Sequence, residues 1–172
     1  MIQLLVIICS FVVVSCISNT TTCAVKYQKA RYWDSTLFTQ YELDTTVGQN
    51  AINAFTDYAT HCGQDSLCPV FFIKTAQVSR ALHKDSITEA SLNACISKFP
   101  NSKTTPLAMF LKAQLYDEAG PFHNEEQAEQ VYKRIIAEFP HSEWALSAQG
   151  ALKFIGKSDL EITNELLQQK KP

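Results

Sequence analysis

Six cysteines and four histidines are the residues of this chain best equipped for chemistry, and their spacing limits what that chemistry can be. His61, Cys62, Cys68 and His83 can be drawn together as metal ligands, but their separations match none of the usual paired-ligand patterns, so no metal is expected. Cys62 and Cys68 bracket a short joint, and a disulfide clamping that joint is sterically allowed. Cys95 falls on an apolar stripe, where a small buried hydrophobe is expected. Covalent catalysis needs a nucleophile beside a base, yet no Ser/His/Asp or Cys/His arrangement stands in a supporting context. A phosphate-cradling loop needs clustered glycines; the chain has only 5, and those the pattern places sit at joints or helix ends. These residues imply neither an enzyme nor a cofactor. With 15 basic against 17 acidic residues and a net charge of −2, there is no basic field to hold a nucleic acid backbone.

The elements that would carry these residues are helices in a repeat. Phe99-Pro100-Asn101-Ser102 returns as Phe139-Pro140-His141-Ser142, a joint in which Pro stops one helix and Ser can accept amide bonds from the next. The stretch from Pro69 to Gln77 aligns without a gap on that from Pro106 to Gln114, with Pro, Ala and Gln identical. Thr88, Leu92, Cys95, Ile96 and Phe99 fall in the register of Ala128, Tyr132, Ile135, Ile136 and Phe139, while Val47, Ala51, Ala54, Phe55 and Tyr58 make one stripe of an earlier helix. Helices are predicted from about 45, over 67–82, from 86, over 106–119, from 124, from 142 to about 156, and from 158, with capping pairs Ser86/Glu89, Asn124/Gln127 and Ser158/Glu161. About seven helices in antiparallel hairpins with a period in the upper thirties describe an all-α solenoid, whose units bury their apolar faces against one another.

The N-terminal end follows different rules. Leu4 to Val14 is an almost unbroken apolar run, shorter than the roughly 20 residues of a spanning helix, and reads as the core of an export signal. It ends in Val13-Val14-Ser15-Cys16, which resembles the bacterial lipobox and makes Cys16 the expected lipidation site. The organisation expected is a signal peptide at 1–15, a flexible tether at 16–44 and a helical repeat domain at 45–172. Within the tether, Lys26 to Trp33 is an aromatic and basic patch without a clear helical period. It can cover the first helix or lie on a membrane interface.

The pattern Pro106-x-Ala108-x-Phe110-x-x-Ala113-x-x-Tyr116, followed by Ala128-x-x-x-Tyr132 and Phe139-Pro140, resembles tetratricopeptide (TPR) repeats, most of all those of Gram-negative envelope lipoproteins such as the Tol-Pal coordinator and the TPR lipoprotein of β-barrel assembly. The chain departs from the pattern at Thr88, where a small residue is usual, and in the long joint after Gly120. The resemblance implies a TPR-like scaffold mediating protein–protein contacts in envelope assembly or maintenance, with other envelope proteins and the membrane as partners. Because the first helix of each TPR hairpin lines the concave face, Lys74, Gln77, Lys112 and Gln114 become candidate partner-binding residues. Ile17 and Ser18 after Cys16, neither acidic, imply an outer-membrane, periplasm-facing location. The rival reading is an accessory lipoprotein that holds a small molecule or glycan for uptake.

Overall fold

A computed structural model describes residues 22–37, 42–63 and 65–169, and every regular element among them is a helix. Helix α1 spans 22–37, α2 Thr45–His61, α3 Cys68–Ala81, α4 Asp85–Lys98, α5 Thr105–Asp117, α6 Glu125–Glu138, α7 Glu143–Ala151 and α8 Asp159–Gln169. The all-α expectation is met, and α2–α8 are the seven helices anticipated beyond residue 45. The apolar run at 4–14 and Cys16 lie outside the described residues. No helix among the described residues is long and apolar enough to cross a membrane.

The joints repeat their backbone hydrogen bonds. At Phe99 and at Phe139 the aromatic residue's amide closes the preceding helix onto Cys95 and Ile135; the Ser102 and Ser142 amides then donate back to the Phe carbonyls at 3.0 Å in both copies. The Thr105 and Ala145 amides in turn reach the two serine carbonyls at 3.0 and 3.1 Å. The helix starts repeat as well. Leu67 before α3 and Thr104 before α5 have φ/ψ of −87/−15 and −87/−11, no side-chain cap, and a proline in the first turn, where its missing N–H leaves no bond unmade.

Capping follows the expectation at three helices and departs from it at two. Asn124 Oδ1 accepts the Gln127 amide, Ser142 Oγ accepts the Ala145 amide, and Ser158 and Glu161 bond reciprocally as a capping box. Ser102 is not the cap of α5: its hydroxyl takes the Thr104 amide three residues before the helix proper. α4 begins at Asp85, so Ser86 lies inside the first turn and does not cap it. α7 also stops earlier than expected, at Ala151, and tightens through turns to Gly156 at φ 71°, where the lack of a Cβ removes the strain.

Contacts divide the chain into two units, Met1–Ser91 and Leu92–Pro172. In the first, α2 packs on α3, with the Phe71 ring 5.4 Å from Phe55 and 4.9 Å from Tyr58. The first part of α4 is stitched to α3 by buried polar bonds, Ser91 Oγ to the Phe72 carbonyl and Ser79 Oγ to Thr88 Oγ1 at 2.7 Å. This pairing explains the departure at Thr88: its hydroxyl sits where a small residue is usual, and Ser79 satisfies it. In the second unit α5, α6 and α7 enclose Met109, Ala113, Tyr132, Ile135 and the small Ala145 and Ala148, with Phe110 between Tyr132 and Trp144. The long joint after Gly120 is closed by the Asn124 amide reaching back to the Tyr116 carbonyl at 2.7 Å.

The expected tether is corrected. Residues 22–37 form α1, which docks on α2 and α3 through positions 23, 26, 27, 30, 34 and 37, a helical stripe. Ala30 is fully buried, the Tyr27 ring lies 5.8 Å from Tyr58 and 6.3 Å from Phe71, and two ion pairs, Lys26–Asp57 and Lys74–Asp34, close at 2.6 Å. Of the two roles read for the Lys26–Trp33 patch, its inner half covers the helical domain.

Candidate functional site

The binding residues proposed from sequence are set by two helices that repeat each other's start. α3 presents Lys74 and Gln77 in the first unit; α5 presents Lys112 and Gln114 in the second. Gln77 and Gln114 are equivalent in the repeat, but Lys74 aligns with Leu111, and Lys112 with the buried Thr75. The two lysines therefore point from different sides of their helices and do different jobs. Lys74 donates to Asp34 of α1, and Lys112 lies over the Tyr116 ring with its ammonium 5.5 Å from the centroid.

Lys74 and Gln77 are brought together on one small concavity. With Leu37, Leu43, Phe55 and Val78 they line a cavity of about 250 Å³ among α1, α2 and α3. Its walls are apolar apart from the Lys74–Asp34 pair and the exposed Gln77 amide, and its volume suits one apolar side chain with a polar group beside it. Such a site can hold a segment of a partner; it offers no group placed to attack one.

A wider cleft of about 720 Å³ opens where α1 meets the end of α2, lined by Tyr27, Tyr58, His61, Asp65 and a disulfide. That disulfide joins Cys23 to Cys62 with Cα atoms 5.5 Å apart and corrects the Cys62–Cys68 expectation. Cys62 sits at the end of α2, facing the start of α1, whereas Cys68 is the first residue of α3, buried and outside any disulfide. With Cys62 in the bridge, the four residues drawn together on paper cannot ligate a metal as a set; among the described residues no three His, Cys, Asp or Glu side chains form such a group.

Burial, with the Asp65 carboxylate beside it, pushes the Tyr58 phenol up to about 12, and burial pushes the Cys95 thiol up to about 11. Neither is a nucleophile at neutral pH. The Lys26 ammonium, bonded to both Asp57 oxygens at 2.6 and 2.7 Å, holds that carboxyl below the usual range. The feature sequence reasoning missed is α1 itself, whose contact stripe alternates apolar residues with charges that are neutralised only in the fold. No protein-family model, curated protein or solved structure matches the chain.

Proposed function

We propose that this chain is an exported, lipid-anchored scaffold of TPR-like helical hairpins that mediates protein–protein interactions in the cell envelope, with Cys16 as the lipidated residue and the α3 face around Gln77 as its binding surface. The observation that carries the reading is the repeated joint: matching backbone bonds at Phe99 and Phe139 and matching dihedrals before α3 and α5 are what a stack of like hairpins requires. The Cys23–Cys62 disulfide supports export, since such bonds persist in oxidising compartments. Lipidation would act through effective concentration, holding the repeat within reach of membrane-bound partners without new contacts.

The test uses the full chain captured from envelopes with its bound proteins, beside Ala81→Trp, which fills the cavity from an exposed position on its wall. Capture of protein partners that falls at least tenfold in the variant supports the scaffold and its site; capture at wild-type level removes the α3 face from the proposal. Incorporation of labelled fatty acid, lost in Cys16→Ala, tests the anchor separately. A small molecule or glycan retained by the purified chain, with no protein captured, would favour the uptake reading.

A further inference from the structure

We propose that the outward face of α1 is a docking surface for an anionic lipid surface, displayed in a fixed orientation by the contacts that pin its inner face. The helix has two faces. Its inner stripe, Cys23, Lys26, Tyr27, Ala30, Asp34 and Leu37, is buried or half-buried against α2 and α3. On the remaining arc, positions 22, 24, 25, 28, 29, 31, 32 and 35 are exposed, while Trp33 and Thr36 are half-buried.

What that arc carries is selective. Val25 and Tyr32 are 66% and 61% exposed, large apolar surfaces that the fold leaves in water. Lys29 and Arg31 lie between them, and no acidic residue occurs from 22 to 33. The charges of the inner stripe are already matched, Lys26 with Asp57 and Asp34 with Lys74, so the outer arc presents a net positive face on a chain of net charge −2. An aliphatic residue, a phenol and two long cations on one convex helix face match a lipid headgroup layer, with Val25 and Tyr32 entering the interface and the cations reaching phosphate. A nucleic acid would need a longer basic track, and a protein groove would need an arc of larger apolar residues.

The fixed inner face matters as much as the outer one. The Cys23–Cys62 bridge and two ion pairs hold α1 at both ends, so the helix is already formed before it meets lipid and no folding has to accompany binding. The inference does not depend on lipidation of Cys16, because it concerns only side chains of α1.

The full chain is bound to vesicles of phosphatidylcholine alone or with phosphatidylglycerol, and amine acylation is read residue by residue by mass spectrometry. Lys153, exposed in the second unit, is the internal control. Lys29 should be acylated roughly fivefold more slowly on the anionic vesicles than on the neutral ones, the scale set by one cation near an anionic surface, and salt should abolish the difference. Lys153 should react alike on both. The double change Val25→Ser and Tyr32→Ser should reduce the protection of Lys29, while Lys26, half-buried and paired with Asp57, is acylated in vesicle-free solution as slowly as in the wild type, which reports that α1 is still docked. Equal acylation of Lys29 on both vesicle types, or equal slowing of Lys29 and Lys153, would overturn the proposal.

Discussion

Asp117 shows how a single carboxyl in this chain is placed against its own preference. It ends α5 beside Tyr132, whose hydroxyl is 3.4 Å away, and burial raises its pKa although that bond and His123 favour the charged form. A folded-state pKa above the unfolded value means the stabilising contribution is complete at low pH and is lost as pH rises through the folded pKa. Asp117→Asn should therefore raise the Tm at pH 7, and the gap from wild type should close as pH falls toward about 4, where the unfolded carboxyl also takes up its proton. Thermal melts of both proteins across pH 3 to 8 read this directly; a wild type more stable at pH 7 would mean the Tyr132 bond outweighs burial. The cysteines teach a related lesson at the same scale. Nearness in sequence suggested Cys62–Cys68, but α3 turns Cys68 into the core at its first residue, and the sulfur facing Cys62 comes from a helix 39 positions away. Sequence spacing cannot report which way a helix start points.

At the scale of elements, the two Phe-Pro joints look interchangeable in sequence but are capped differently. Ser142 immediately precedes α7, accepts the Ala145 amide at 3.2 Å and donates to the Phe139 carbonyl at 2.8 Å. Ser102 bonds Thr104 instead, and the equivalent bond to its Phe carbonyl is made by the Thr105 hydroxyl. Ser142→Ala should cost about 1 kcal/mol in urea unfolding, a typical N-cap loss, and Ser102→Ala clearly less. Equal costs would show that the Thr104 bond matters as much as a helix cap. The backbone of these joints was legible because Pro and the Phe–Ser spacing fix it locally. So was the register of Leu92 and Cys95 against Tyr132 and Ile135, all buried, because a period of 3.6 survives changes of residue type. α1 was not legible. Its stripe holds Lys26 and Asp34, which count as polar in any periodicity and become contact residues only when Asp57 and Lys74 arrive from other helices. The candidate site shares this fate: the repeat places Gln77, but the cavity beside it needs Leu37 from α1, which has no apolar periodicity to mark it.

For the molecule as a whole, the division into two units makes the effect of reduction specific. The Cys23–Cys62 bridge, both ion pairs of α1 and the Tyr27–Tyr58–Phe71 ring cluster all belong to the first unit. The second has its own core around Met109, Tyr132 and Ile135, with no part in the bridge. Closing a loop of 39 positions removes entropy from the unfolded chain worth about 2–4 kcal/mol, so opening it should lower the stability of the unit that contains it. Reduction, or Cys23→Ser, should accelerate amide exchange in α1 and α2 by at least tenfold, while amides of α6, behind Tyr132 and Ile135, exchange at their former rate. The paired ions and the ring contacts remain after reduction, so α1 should loosen and stay helical in part. Exchange that rises equally in α2 and α6 would mean the two units open as one cooperative body, with the bridge acting on both.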